Sequence, residues 1–554
     1  MHLSHKIFVC LAFLALAACA DPKTGADRVF TNGVVWTGQS DSVDAQAFAV
    51  KDGRIVAVGA DADMLPHIGM ETEQVNLNGA FVVPGLIDNH VHFDLGSFGL
   101  TRVNLRNAAT PEVFTRLIGE AAAEASEGEW IQGGSWDHEL WGGTLPDRTW
   151  VDAVTGDVPL AVSRLDEHMV LVNSAALKLA GIDDTTPDPE GGVIVRDETG
   201  RATGILKDTA MTLLEGVIPA PTDAQMEAAF RRGMKHAASK GVTQVHDMGW
   251  NWSSFDTFRR MHKRGELTLR VYAFTQLADW QLMADFVSEH GRGDDWLRWG
   301  GVKGFVDGSL GSSTAWFYED FSDEPGNSGL PLLTMEELGE RMKGASDAGL
   351  HMAIHAIGFQ ANDRLMDIFE GLGAGKERRH RVEHAQHLTA EAIPRFADLG
   401  VVASMHPYSI IDDGRWAGRR LGPNRLAGTY AMNSLLAAGT TVTFGSDWPV
   451  TPLDPMEGIY AAVTRATIDG KMPEGWIPEE KVSVLDALRA YTVNNAYGAF
   501  MDDRLGQIKE GYLADFVVLD QNLFEIDPAA IRDTRVLRTV IDGTDRYVAG
   551  GDRE

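Results

Sequence analysis

Cysteine is nearly absent. The 554 residues hold two, Cys10 and Cys19, both within the first twenty positions. That excludes a disulfide framework and a cysteine-ligated zinc site from the folded body. Basic residues are also scarce: Lys and Arg number 49 against 79 Asp and Glu, a formal net charge of −30. A surface this acidic repels phosphate backbones and excludes nucleic acid as a partner class. No low-complexity tract occurs. Apolar residues at 44% and charged residues at 23% are ordinary globular values and exclude a mainly disordered or fibrous chain. The length corresponds to ~3–4 domain-equivalents, or to one barrel-sized domain with additions.

The run Ile7–Ala18, preceded by Lys6, is unbroken and apolar. It is too short to span a bilayer as a helix but suits the apolar region of a signal peptide. Its end, Leu16-Ala17-Ala18-Cys19, resembles a bacterial lipoprotein signal, as against an ordinary secretory one. The resemblance implies removal of residues 1–18, lipidation of Cys19, and an exported, periplasm-facing protein that meets a membrane through its acyl chains alone.

Both ends of the mature chain read as short strands and tight turns. Asp52-Gly53 divides two alternating runs within Phe48–Val58, and Asp542-Gly543 breaks Val536–Val548. Such dipeptides are strong hairpin signals. We expect residues 27–80 and 501–554 to form one small β-sandwich domain.

The centre has another rhythm. Amphipathic segments open on capping boxes such as Thr222-x-x-Gln225 and Thr334-x-x-Glu337. They close on Gly241, Gly349, Gly400 and Gly439 and run directly into short β-rich stretches. Eight strand candidates result: Phe81–His92, Val242–Asp247, Leu269–Phe274, Gly301–Asp307, Leu350–His355, Arg381–Gln386, Val401–His406 and Thr440–Asp447. Repeats of ~30 residues predict an α/β fold, a (β/α)8 TIM barrel over 81–500. Residues from about 93 to 220 exceed the count. They are expected to be a large insertion after the first barrel strand, at the mouth where barrel enzymes place their chemistry.

His90 and His92 lie two apart on a strand, so both face the same way. Two imidazoles at the C-terminal end of an inward-facing strand can grip one metal. Lys303, His355, His384 and Asp447 occupy the matching place in later units. Each alone has an ordinary reading, as a hydrogen-bonded strand end or a helix cap. Together they supply imidazole and carboxylate donors from several strand ends, as barrel metal sites require.

Several segments taken together resemble the amidohydrolase superfamily, in the large-insertion branch that includes N-substituted formamide deformylases. They are Pro84-Gly85-Leu86-Ile87-Asp88-Asn89-His90-Val91-His92, Val302-Lys303-Gly304-Phe305-Val306-Asp307-Gly308, Arg381-Val382-Glu383-His384, Gly445-Ser446-Asp447 and Gly511-Tyr512-Leu513-Ala514-Asp515-Phe516. The resemblance implies that His90 and His92 hold a more buried metal and that His355 and His384 hold a second. Lys303 would be carboxylated to bridge the two. Asp447 would touch the metal site and move protons. The cofactor is then one or two divalent ions: zinc by default, with manganese, iron or nickel also suited to such donors. Metal-activated hydroxide would attack a small-molecule carbonyl, and the reaction class would be hydrolysis of a non-peptide carbon–nitrogen bond in an amide, formamide or cyclic amide. The same centre would serve an ester, lactone or phosphoester, and a metal-free surface binding protein is a third reading.

From the insertion, Trp136, His138 and His168 are candidate substrate-binding residues. Two positions depart from the family pattern: Glu167 stands where glycine is usual, and Ser313 where arginine often follows Leu-Gly-Ser. No feature of the sequence specifies an oligomeric state.

Overall fold

A computed structural model describes residues 25–550, apart from 127 and 250. The expected signal segment and Cys19 lie outside the described residues. Among the described residues, no helix is long and apolar enough to cross a membrane.

Eight parallel strands form the central sheet, in chain order around the barrel. They are β1 (Leu86–Val91), β2 (Val242–Met248), β3 (Arg270–Gln276), β4 (Leu297–Phe305), β5 (His351–Ala356), β6 (Arg381–His384), β7 (Val402–Met405) and β8 (Val442–Phe444). Every expected strand is present. The helix preceding β2 spans Asp223–Ser239. Thr222 accepts from the Gln225 N–H, and the Gln225 side chain reaches back to the Thr222 N–H at 2.9 Å. Gly241 then takes φ +81°, a left-handed turn that glycine adopts without steric cost, and the chain enters β2.

One expectation needs correction. The run Phe81–His92 is not a single strand. Phe81–Pro84 pairs with Phe516–Leu519 in a sheet outside the barrel, and only Leu86–Val91 is barrel wall. Pro84 has no N–H to extend a ladder, and Gly85 passes so near Thr243 that an added Cβ would lie 2.3 Å from its hydroxyl oxygen.

The chain ends build two sheets. One has four strands: Arg28–Thr31, Ala47–Lys51, Arg54–Gly59 and Glu73–Asn76. The other has five: Val34–Val35, Phe81–Pro84, Phe516–Leu519, Val536–Ile541 and Thr544–Val548. The Asp52-Gly53 and Asp542-Gly543 hairpins form as expected, with positive φ at all four residues. Phe30, Phe48 and Phe516 share one core. Centroid distances of 4.9 Å for Phe30–Phe48 and 4.8 Å for Phe48–Phe516 join the two chain ends through aromatic packing. Residues 103–208 carry a separate six-stranded sheet, with Phe114, Trp136, Val162 and Leu171 in its core.

The barrel has a seam. Among the described residues no ladder joins the strands β8 and β1; side chains bridge them, and backbone pairing resumes just beyond, where Val91 pairs in parallel with Trp448. Asn495, fully buried on the helix Val493–Gly498, donates to Ile87 O at 2.5 Å on β1 and to Phe444 O at 2.8 Å on β8. Asn89 donates to the hydroxyls of Ser404 at 2.9 Å and Thr443 at 2.6 Å. Higher up, Asp447 N–H donates to His90 O at 2.7 Å. Replacing Asn495 by Ala strips two buried carbonyls of a partner, so we expect a loss of about 2–3 kcal/mol in denaturant melts. An unchanged midpoint would show that the seam does not depend on this amide.

Candidate metal centre

The strand ends bring the chemistry together at the C-terminal mouth. His90 is on β1 and His92 just past it. Lys303 is on β4, His355 on β5, His384 ends β6, and Asp447 follows β8. His90 Nε2 lies 3.3 Å from Lys303 Nζ and 3.4 Å from Asp447 Oδ1. His92 Nε2 lies 3.2 Å from the same Asp447 oxygen. The His355 and His384 rings are 4.4 Å apart and those of His90 and His384 are 5.3 Å apart. All six residues expected at a metal site therefore meet in one place.

A second layer sets which ring nitrogen faces inward. His90 Nδ1 is 2.5 Å from Glu383 Oε2, which leaves Nε2 for the centre. Glu383 is held by Arg381 and by the Ser404 hydroxyl. Burial would raise its pKa, but the charge and hydrogen bonds of Arg381, together with Lys303 and the Ser404 hydroxyl, outweigh burial and keep the carboxyl below its usual value. His92 Nδ1 faces Met248 O at 3.1 Å. His355 does the reverse: its Nε2 faces Gly308 O at 3.0 Å, so Nδ1 is the inward atom. Such partners orient metal-binding imidazoles.

Burial lowers the pKa of His90, His355 and His384 well below 6.5, and the neighbouring cationic groups add to it. These rings are neutral at pH 7 with a lone pair to share, which is the form a metal needs. Asp447 sits at φ +59° and His384 at φ +71°, left-handed conformations that cost a non-glycine residue about 1 kcal/mol or more.

Sequence reasoning missed His406. It follows β7, and its ring centroid lies 4.7 Å from that of His90 and 4.6 Å from that of His384. One donor atom from each of His90, His384, His406 and Asp447 falls within 4.8 Å of the others. The available signal was positional: His406 ends its βα unit as His384 does, and Pro407 opens the helix after it.

The six-stranded-sheet unit of residues 103–208 reaches the site through the turn Arg164–His168. Arg164 is buried between Asp137 and Asp166, and Asp166 accepts from the Ser309 and Ser312 hydroxyls beyond β4. His168 is brought in, with its ring 5.3 Å from His355 and its Nδ1 2.6 Å from Asp208. Burial opposes a charge there, but Asp208 and its acidic neighbours prevail and raise the pKa. Trp136 and His138 do not line the cavity. Trp136 fills the insertion core and donates its indole N–H to Val162 O at 2.8 Å; His138 is buried against Arg164 at 3.2 Å. Trp136 is an apolar ring with one donor that a backbone carbonyl satisfies, so packing claims it. Both departures from the family pattern, Glu167 and Ser313, sit at φ +58°. The backbone keeps the conformation glycine would favour while carrying a side chain. Burial pushes the Glu167 carboxyl up to about 8.

The metal-facing cavity is small, about 80 Å³, and is lined by His92, Lys303, His355, His384 and Asp447 with Glu167 and His168. A cavity of about 750 Å³ adjoins it between the insertion and the barrel, and Glu167 and Thr451 line both.

Parallel barrel, strand-end imidazoles and a shared carboxylate define a metal-dependent hydrolase. Residues 73–547 match the amidohydrolase family, to which the chain belongs, as a hydrolase acting on carbon–nitrogen bonds. It is 39% identical to Protein LONG AFTER FAR-RED 3 of Arabidopsis thaliana, over 94% of this chain and 92% of that one. It is 28% identical to the N-substituted formamide deformylase of Arthrobacter pascens, over 95% and 99%. Among solved structures, an uncharacterized metal-dependent hydrolase from Pyrococcus horikoshii superposes with a TM-score of 0.73 at 27% identity, covering 94% of this chain and all of that one.

Lys303 carries a pH prediction. Burial lowers its pKa from 10.5 to about 8, with Glu383 and Asp447 opposing in part. Only the neutral amine adds carbon dioxide, so in metal-free protein carbamate occupancy should rise with pH and level off above about 8. Carbon-13 NMR with labelled bicarbonate reads this directly. No carbamate signal at any pH would contradict it.

Proposed function

We propose that this protein hydrolyses a non-peptide carbon–nitrogen bond in a small molecule, an amide, formamide or cyclic amide. The observation that carries this reading is the convergence of His90, His92, His355, His384 and Asp447 around one desolvated point at the barrel mouth. The donor set fits one or two divalent ions of the zinc type, since neutral imidazoles and carboxylate oxygen are its usual ligands. A bound divalent metal supplies Lewis acidity and lowers the pKa of water towards ~7.

The rest is done by the chain. His90 and His92 are aimed by Glu383 and Met248 O, and His355 by Gly308 O. Asp447, with Oδ1 beside both β1 histidines, takes the proton of the attacking water and returns it to the departing nitrogen. Lys303, if carboxylated, would offer carbamate oxygens to a bound metal. His168, held by Asp208 beside His355, is placed to donate to substrate oxygen. The inner cavity holds about two or three water-sized groups, enough for a small acyl group and its attacking water. The adjoining cavity of about 750 Å³ takes the substituent. We also read residues 27–80 and 501–554 as one β-sandwich domain, about 93–220 as an insertion, and the mature protein as a lipoprotein anchored through Cys19 on the exported face of a membrane.

A panel of N-formyl, N-acyl and cyclic amides, set against esters, lactones and phosphoesters, tests the reaction class. Chelator-sensitive turnover of the nitrogen series is expected. Turnover confined to the oxygen or phosphorus esters would overturn it. Asp447→Asn should lower kcat/KM by about 10²–10⁴; unaltered turnover would remove Asp447 from the proton path.

A further inference from the structure

Glu167 stands at the junction of the two cavities that the proposed reaction uses. It lines both the inner, metal-facing cavity and the adjoining one of about 750 Å³. The turn that carries it is fixed on either side. Glu167 N–H donates to Arg164 O at 3.0 Å, Asp166 accepts from the Ser309 and Ser312 hydroxyls, and His168 Nδ1 lies 2.6 Å from Asp208. At φ +58° the backbone adopts a conformation that glycine takes freely and that strains any side chain. A carboxyl is thus carried to the junction against backbone strain as well as against burial, and such strain gathers at functional positions.

The carboxyl has no counter-ion. Among the described residues it forms no ion pair, and its hydrogen bond comes from Ser163. Arg106 acts on it electrostatically but donates instead to Pro449 O at 2.6 Å and Val450 O at 2.7 Å. The other arginine of the outer cavity, Arg102, lies over the Phe98 ring at 4.5 Å. Burial and the nearby charges of Asp166 and Asp447 disfavour the ionised carboxyl, as they must where no cation answers it. A desolvated carboxyl in this state is half of an ion pair, and a ligand cation that reaches it supplies the other half.

We propose that Glu167 is a specificity-determining residue, and that the substrate carries a basic amine on its departing side, within a few bonds of the scissile nitrogen. This rests on the reading that the acyl group enters the inner cavity and the substituent the outer one. The junction is then where the first atoms of the substituent lie. An ammonium group there donates to the Glu167 carboxylate and, by its charge, favours the ionised form. A neutral substituent leaves the carboxyl without a partner.

The test reads binding, whatever bond the enzyme breaks. N-(2-aminoethyl)methanesulfonamide and its neutral counterpart N-propylmethanesulfonamide resist hydrolysis and differ in one ammonium group. Each is titrated by calorimetry into zinc-loaded full-length protein. The wild type should bind the cation at least tenfold more tightly. Glu167→Gln keeps the size of the side chain and removes its charge; Glu167→Gly suits the φ +58° turn and keeps the fold. Both should cut the preference to about twofold or less while the neutral ligand binds as before. Equal affinities in the wild type, no measurable binding of either ligand, or a preference that survives both substitutions would overturn the proposal. A cation preference beside turnover confined to esters would keep the Glu167 assignment and sink the reaction class; equal binding beside amide turnover would do the reverse.

Discussion

The structure is organised around a desolvation problem. Five imidazoles, a lysine and a carboxylate are packed at one end of a parallel barrel, nearly out of reach of water. None gains from this on its own. Burial drives the histidines towards neutrality and leaves lone pairs facing one another. Neutral rings with inward lone pairs and an adjacent carboxylate are in conflict as they stand, and a cation resolves that conflict. The proposed reaction follows from this arrangement.

The surrounding structure keeps it in place. Glu383 and Arg381 fix one ring, and backbone carbonyls fix two more, so the centre does not depend on mobile side chains. The seam between β8 and β1 has a chemical consequence too. Just past β8 the chain turns through the left-handed Asp447, pairs with β1 again at Val91 and Trp448, and brings the Asp447 carboxylate beside His90 and His92. The insertion contributes differently. It is clamped by Arg164 and Asp166 and presents Glu167 and His168 from outside the barrel.

Much of this is written locally in the sequence. Capping boxes, terminal glycines and β-rich runs mark all eight barrel strands, and an alternation of two places His90 and His92 on one face. What escaped has physical causes. Phe81–His92 is one apolar run, and apolarity does not reveal that Pro84 and Gly85 hand the chain from one sheet to another. Trp136 is equally suited to a pocket or a core, and only tertiary packing decides. His406 ended the expected strand Val401–His406, but the family resemblance implies no ligand at that strand end, so nothing drew attention to it. Glu383 precedes His384 and points away from solvent, so its contact with His90 emerges only when β1 and β6 are seen together.

The most direct measurement is anomalous diffraction at a metal absorption edge from crystals of the purified protein. The account predicts a peak within bonding distance of His90, His384 and Asp447. A protein that crystallises with zinc available and shows no peak among these residues, or shows one elsewhere in the chain, would contradict it.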